Sequence, residues 1–346
     1  MNQKTFIGLA AVTVAAVIGA AIGVADRYGS PHIGRSEALV FEDLAERAKD
    51  VAQVVVQTGG GSVTLNRTDA GWIVPEKNGH PARSGKVREV ILGLSELRLF
   101  EPKTRSPDKF ARLQVEDVDA KGSASLLVTL ADADSKELAK IIIGKGRDNL
   151  AGVVSTGVYV RHPGAEQAWL ARGRLAPSRD AEAWLMKEIV DIPVARVSQL
   201  ISSDAAGTVL DISKNAKSDA VFVVASLPEG GKLSKNAASK INGIAGALAG
   251  LELQDVVKAA GFAKTVSARA TIKTFDGLTI DVTLFDDDRK TWLRLKASGE
   301  GSVAEEAAKI NARAGAWVYQ LPDHKAVFLK TRMEDLLEKE NKDKPS

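Results

Sequence analysis

The side chains that could do acid–base or metal chemistry are spread along this chain rather than grouped. The four histidines are His32, His80, His162 and His324. No two of them stand at a spacing such as HExxH, which places two metal ligands on one helix face. Each lies beside a proline or in a turn, so we expect surface loop histidines and not a metal site.

The densest acidic run consists of three aspartates at residues 286–288, whose carboxylates could coordinate Ca²⁺ or Mg²⁺. Consecutive side chains point in different directions, and Arg289 and Lys290 follow directly. This pattern favours a solvated hairpin tip over a metal site. Asp132 and Asp134 begin like a calcium loop, but the later glycine and glutamate ligands are missing from the sequence.

Two glycine-rich stretches resemble phosphate-binding loops only in composition. The stretch GKGR at residues 144–147 lacks P-loop spacing and favours a hairpin connection. The stretch GGGSVT at residues 59–64 leads into a strand pattern rather than a helix, so it predicts a turn. The sequence has no cysteine and no G-x-S-x-G motif. We therefore expect a non-enzymatic protein without a catalytic residue, cofactor or metal.

The tryptophans could form either core or an exposed platform for a sugar or a protein partner. Three of them stand in strand patterns, so core packing is our prediction. The five residues are Trp72, Trp169, Trp184, Trp292 and Trp317.

The length of 346 residues suffices for about two domains and an anchor. Basic and acidic residues nearly balance, with a net charge of +3, which argues against a dedicated nucleic-acid binder. The absence of cysteine is compatible with an oxidising periplasm.

An uncharged apolar segment at residues 6–24 is long enough to span a bilayer as a helix. Lys4 precedes this segment, and the opposite charges of Asp26 and Arg27 cancel after it. We therefore expect a single-pass protein of the bacterial inner membrane, with its N-terminus in the cytoplasm and its later modules in the periplasm. A cleaved signal peptide is the alternative, although its apolar core is normally shorter. The anchor residues are Phe6, Ile7, Leu9, Val14, Val17, Ile18, Ile22 and Val24.

The chain contains an internal repeat of domain size. Residues 86–100 align without a gap on residues 240–254, and residues 158–175 align on residues 317–334. Repeated apolar positions with different polar residues between them indicate two related scaffolds with diverged surfaces.

The order of local patterns predicts an α+β fold of two tandem related modules, each a mainly antiparallel sheet with one packed helix. Helices are expected at 83–98 and 240–251, a hairpin across Asp276 and Gly277, and a strand at 326–329. The predicted domains are an anchor (1–25), a stalk and short helix (26–52), a first module (53–190), a second module (191–338) and a charged tail (339–346).

Several segments in order resemble the domain of unknown function 4340 (DUF4340) family. They are a strand beginning Gly71-Trp72, the turn GHPA at 79–82, the exit EPKT at 101–104, and LQVED at 113–117, where Gln114 replaces the usual glycine. The match covers most of the first module and, more weakly, the second.

The resemblance implies a membrane-anchored bacterial envelope protein encoded beside ABC-2-type permeases and a gliding-motility-type auxiliary transport protein. We therefore expect an extracytoplasmic subunit or scaffold of such a transport complex, with no catalytic residues transferred from the family. The alternative is a periplasmic binding module for a glycan, lipid or peptide in a cleft between the modules. An envelope hydrolase is disfavoured, since no nucleophile or metal constellation is visible.

Overall fold

A computed structural model describes residues 37–150, 156–207 and 209–338. The anchor residues from Phe6 to Val24 and His32 lie outside these ranges. Within the described ranges, no helix combines the length and the apolar character needed to cross a membrane.

The helices in these ranges are short. The α-helices are α1 (Leu44–Arg47), α2 (Ser84–Ser95), α3 (Phe110–Leu113), α4 (Ala237–Ala245), α5 (Ala304–Ala314) and α6 (Asp323–Leu329). The 3-10 helices are Ala48–Asp50, Pro75–Lys77, Pro107–Lys109, Ala181–Trp184, Val194–Arg196, Gly301–Val303 and Met333–Asp335.

Strands dominate the described residues. In the first half they are β1 (Gln53–Thr58), β2 (Gly61–Thr68), β3 (Gly71–Val74), β4 (His80–Pro81), β5 (Arg98–Pro102), β6 (Leu126–Ala131), β7 (Glu137–Arg147), β8 (Gly157–Arg161) and β9 (Trp169–Arg172). In the second half they are β10 (Glu188–Val190), β11 (Val197–Asp204), β12 (Val209–Ser213), β13 (Val223–Val224), β14 (Leu251–Glu252), β15 (Asp255–Lys258), β16 (Val266–Thr274), β17 (Thr279–Asp287), β18 (Lys290–Ser298) and β19 (Trp317–Gln320).

The strands of the described ranges form three sheets. The first has the order β4-β3-β2-β1-β6-β7-β8-β9-β5, the second β13-β12-β11-β16-β17-β18-β19-β15, and β10 pairs with β14. The described pairings are antiparallel, for example β1 with β6 and β11 with β16. Mainly antiparallel sheets with few helices confirm that part of the predicted fold class.

The two large sheets share one strand order. The run β1-β6-β7-β8-β9-β5 in the first corresponds, strand for strand, to β11-β16-β17-β18-β19-β15 in the second. In both, a four-strand meander lies between two strands from an earlier part of the chain. In the first sheet α2 precedes β5, and in the second α4 precedes β15. Each of these strands pairs with the last strand of its meander.

This order corrects one sequence alignment. Residues 158–161 lie in β8, the third strand of the first meander, whereas 317–320 form β19, the fourth strand of the second. The matched segments therefore occupy different positions in the two meanders. Pro322 does not form a hairpin like that at Pro163, because it is the N-cap of α6.

The chain folds into two compact units, neither of which is a single continuous stretch of sequence. Of the described residues, unit 1 contains those at 37–62 and 88–179, and unit 2 contains those at 63–87 and 180–338. The grouping of 63–87 with the later residues differs from the contiguous ranges 53–190 and 191–338 expected from the sequence. Its physical reason is a set of interactions around Lys77 and His80, described below.

Each unit has an aliphatic core. In unit 1, Val54, Val128 and Ile141 come from neighbouring strands and are fully buried. In unit 2, Leu200 and Leu284 take the same role. Alternate residues of these strands are buried because successive side chains point to opposite faces of a sheet.

The structure differs from the expected secondary structure at two helices. Residues 326–329 belong to α6 and not to a strand, because Pro322 caps a helix that begins at Asp323. Helix α5 was not predicted, although Val303, Ala307 and Ile310 are buried at helical spacing. The hairpin across Asp276 and Gly277 is confirmed by the pairing of β16 with β17.

Candidate functional site

The prediction that all four histidines lie in surface loops is wrong for His80. His324 is exposed on α6, and the His162 ring packs edge-on against Phe41 with centroids 5.4 Å apart. His80 is only 5% exposed. It belongs to β4, which pairs with β3 through Val74 and therefore holds the imidazole in a fixed position.

The His80 ring lies among aromatic and cationic groups. Its centroid is 4.9 Å from the Trp317 ring and 6.2 Å from the Tyr319 ring, both edge-on. Its Nδ1 is 3.0 Å from the Pro81 carbonyl oxygen. Burial lowers the pKa of His80 to about 4, and the positive charges of Lys187 and Lys258 add to this effect. The imidazole is therefore neutral at pH 7.

Near His80, three charged residues from distant segments form what we call the lysine cluster: Lys77, Glu182 and Asp255. The Lys77 Nζ donates to Glu182 Oε1 at 2.6 Å and to Asp255 Oδ1 at 2.7 Å. Burial alone would lower the pKa of Lys77, but the two carboxylates raise it above its usual value. Its hydrogen bond to Lys77 holds the pKa of Glu182 below the usual range.

One ammonium serves both carboxylates of the lysine cluster, so the cluster as a whole is negatively charged. Both carboxylates accept hydrogen bonds from one ammonium, so neither is a free general base. Sequence reasoning missed these residues because they are separated by 105 and 178 positions along the chain. The arrangement joins the 3-10 helix Pro75–Lys77 to the 3-10 helix Ala181–Trp184 and to β15, which explains why residues 63–87 belong to unit 2.

In unit 1, a buried arginine holds the LQVED segment. Arg161 is 3% exposed and donates from Nε to the Val115 carbonyl at 2.7 Å and from Nη1 to the Ala165 carbonyl at 3.0 Å. Its Nη2 pairs with Asp117, and its guanidinium lies 4.6 Å from the centre of the Phe110 ring. These contacts give the segment a structural role.

The acidic and glycine candidates have structural surroundings. Asp286 pairs with Lys330, and Asp287 pairs with Lys264 at 2.9 Å. The first two aspartates belong to β17, so the hairpin tip contains only Asp288 of the three. No group of three or more histidine or acidic side chains in the described ranges is placed to hold a metal ion.

The prediction that residues 144–147 form a hairpin connection is wrong, because they end strand β7. A Cβ at Gly144 would lie 2.2 Å from the Leu113 carbonyl oxygen. The glycine therefore permits close approach of two backbones, which is a packing role.

Core packing of the tryptophans is confirmed for three of the five. Trp184, Trp292 and Trp317 are buried, whereas Trp72 and Trp169 are partly buried in strands.

One edge of the second sheet carries an exposed apolar strip, formed by Val221, Val223, Ala225 and Leu227. Val221 and Val223 are 62% and 57% exposed, and all four alternate with more buried residues. Of the four, Val223 lies in β13, and in the turn that follows the Ala225 N–H donates to the Asp211 carbonyl of β12 at 2.9 Å. The strip thus combines apolar side chains with a strand at the edge of its sheet.

The comparisons with known proteins add a family but no activity. The model of the family described as "Domain of unknown function (DUF4340)" matches residues 72–271, which is more than half of the chain. No curated protein and no solved structure matches the chain. The matched range begins at Trp72, contains LQVED and Arg161, and ends in β16. The chain belongs to the DUF4340 family.

Proposed function

We propose that this chain is a non-enzymatic scaffold subunit of an ABC-2-type, gliding-motility-like transport complex in the bacterial cell envelope. Residues 6–24 anchor it in the inner membrane with the N-terminus in the cytoplasm. Two related α+β modules lie in the periplasm and bind an ABC-type permease or an auxiliary transport protein. The uncharged N-terminal segment and the shared strand order of the two sheets support this proposal.

The exposed apolar strip is the observation that carries the proposal. Soluble proteins rarely leave apolar side chains together on a strand whose outer N–H and C=O groups are free to pair. The strip alternates with buried Phe222 and Val224, so its register on the sheet is fixed. A partner strand pairing with this segment would bury its valines and satisfy its backbone groups.

Co-purification from native membranes tests this function. The tagged full-length chain is expected to bring down a permease and its ATPase after mild cross-linking, and Val223→Lys is expected to reduce their yield at least fivefold. Val327→Lys is the matched control, because Val327 is 63% exposed but lies on α6. Both variants should keep the unfolding midpoint of the parent chain.

Two results would contradict the proposal. One is recovery of the parent chain without a transport subunit under these conditions. The other is an equal loss of yield with Val223→Lys and Val327→Lys, which would show that the strip has no specific role.

A further inference from the structure

Strand β18 loses its neighbour halfway along its length. On that side it pairs with β19 only through Trp292 and Leu293. Further on, the Asn311 side chain takes the place of a strand: its Nδ2 donates to the Ala297 carbonyl at 2.7 Å, and its Oδ1 accepts from the Ala297 N–H at 2.8 Å. Leu295 lies between these two points. Because backbone groups of alternate residues face the same side, its N–H and C=O point into the gap.

The gap opens into a groove of about 550 Å³ in unit 2. We call it the cationic groove and define it by Thr283, Arg294, Leu295 and Lys296; the carboxylate of Asp281 also lines it. Its volume lies within the range of ordinary small-molecule sites, about 300–1,000 Å³. It is lined on one side by the outer face of β17 and β18, and on the other by Asn311 near the end of α5.

Three cations stand on this face. Arg269 is directly opposite Thr283, and Thr283 is directly opposite Arg294, so the three side chains form one row across three strands. Directly opposite side chains are about 5 Å apart, which places the two arginines about 10 Å apart with the hydroxyl between them. Lys296 follows two residues after Arg294 on the same face, about 7 Å along the strand.

These cations have no carboxylate partner within the described part of the chain. Arg269, Arg294 and Lys296 are exposed, and none takes part in the ion pairs found there. The acid nearest in register is Asp281, directly opposite Lys296 and already accepting a hydrogen bond from the Thr271 hydroxyl at 2.8 Å. One carboxylate against three cations leaves a net positive site.

We propose that the cationic groove binds the phosphate group of an organic phosphate. The planar guanidinium of Arg294 can donate two parallel hydrogen bonds to phosphate oxygens, and Lys296 adds a second charge. The Thr283 hydroxyl and the Leu295 N–H supply further donors. Arg294 and Lys296 of the lining, and Arg269 beside it on the same face, together supply the positive charge that attracts a phosphate group. The organic part of the ligand occupies the groove beside Asn311.

Two sources share this chemistry, a soluble phosphate ester and a phospholipid headgroup. Isothermal titration of the full-length chain in an uncharged detergent separates them. The probes are sn-glycerol 3-phosphate and short-chain phosphatidylglycerol micelles, with phosphatidylcholine micelles as the zwitterionic control. Saturable binding of either anionic probe, weakened by added salt, supports the site. Binding of glycerol 3-phosphate indicates a soluble ester, and binding of phosphatidylglycerol alone indicates a headgroup.

Variants locate the binding. Arg294→Gln is expected to weaken it at least tenfold and Lys296→Gln severalfold, whereas Asp281→Asn should tighten it. Lys273→Gln is the matched control, because Lys273 is an exposed cation on the same face, paired in register with Thr279 outside the groove. All four side chains are exposed, so we expect unchanged circular dichroism.

The inference is overturned if neither anionic probe binds, or if Lys273→Gln weakens binding as much as Arg294→Gln. Equal binding to phosphatidylcholine would also overturn it. These outcomes are independent of the transport-complex proposal, whose test concerns the apolar strip at the β13 end of the sheet order.

Discussion

The burial of His80 makes unit 2 sensitive to acid. The pKa of this imidazole is lowered from its usual 6.5 to about 4 in the folded protein, first by burial and then by nearby lysines. Because the neutral form is favoured on folding, its contribution to stability is fully present above pH 6.5. It is lost as the pH falls from 6.5 to about 4, because over this range the unfolded chain binds a proton at His80 and the folded chain does not.

The size of the effect follows from the shift. At 1.36 kcal/mol per pKa unit, the full shift corresponds to about 3 kcal/mol of unfolding free energy. The side chain is 5% exposed, so solvent screening does not reduce this figure substantially. His80→Phe keeps an aromatic ring against Trp317 but removes the titration. We therefore expect the variant to gain about 3 kcal/mol relative to the parent between pH 7 and pH 4.

Urea unfolding of the full-length chain at a series of pH values measures this difference. His324→Phe is the control, since that histidine is exposed on α6. A difference curve for His80→Phe that stays flat within about 0.5 kcal/mol across this range would refute the reasoning. An NMR titration of the His80 ring with a midpoint near 6.5 would refute it as well.

Three further substitutions test the packing described above by urea unfolding. Lys77→Met should lower the free energy of unfolding by about 2 kcal/mol, because two carboxylates lose their shared donor. The control Lys309→Met removes an exposed ion pair within a helix and should cost at most about 0.5 kcal/mol. Equal costs would contradict a structural role for the lysine cluster. Gly243→Ala should lower the free energy of unfolding by about 1–3 kcal/mol, because the added Cβ would lie 2.3 Å from a phenylalanine ring of α6. The control Gly85→Ala, with open space around it, should raise that free energy by up to about 1 kcal/mol. A neutral Gly243→Ala would show that the ring moves freely. Arg161→Leu should lower the free energy of unfolding by about 3 kcal/mol, because two backbone carbonyls lose their donor. It should also expose the LQVED segment to limited proteolysis. An unchanged cleavage pattern would argue against a role of Arg161 in holding that segment.

The sequence predicts the local parts of the fold well. Asp276 and Gly277 specify a tight turn between two alternating strands, so the hairpin of β16 and β17 follows from neighbouring residues alone. Short apolar runs are less decisive: Ala326–Leu329 fits either a strand or a helix, and the capping proline decides between them. The spacing of Val303, Ala307 and Ile310 is typical of one face of a helix and is a local signal for α5.

The sites depend on contacts that sequence spacing does not encode. Lys77 meets Asp255 across 178 positions, and nothing near either residue distinguishes it from a solvated charge. His80 stands beside Pro81 as a loop histidine would, and its burial depends on Trp317 from the opposite end of the chain. The row of Arg269, Thr283 and Arg294 becomes visible only once the register of three strands is known.

The position of the meanders has a consequence for how the chain folds. The strands β1 and β5, like β11 and β15, leave the ribosome before the meander that will pair with both of them. Until β6 and β9 arrive, β5 has no partner strand, and β1, which pairs with β2, keeps one open edge. In the second sheet, β15 and the free edge of β11 wait in the same way for β19 and β16. The meander itself can form from local hairpins, but docking it requires closure of a loop of about 75 residues, from Val54 to Leu130. A chain built twice on this plan passes twice through a state with open strand edges. Slow, chaperone-sensitive folding with aggregation of truncated chains is the expected consequence.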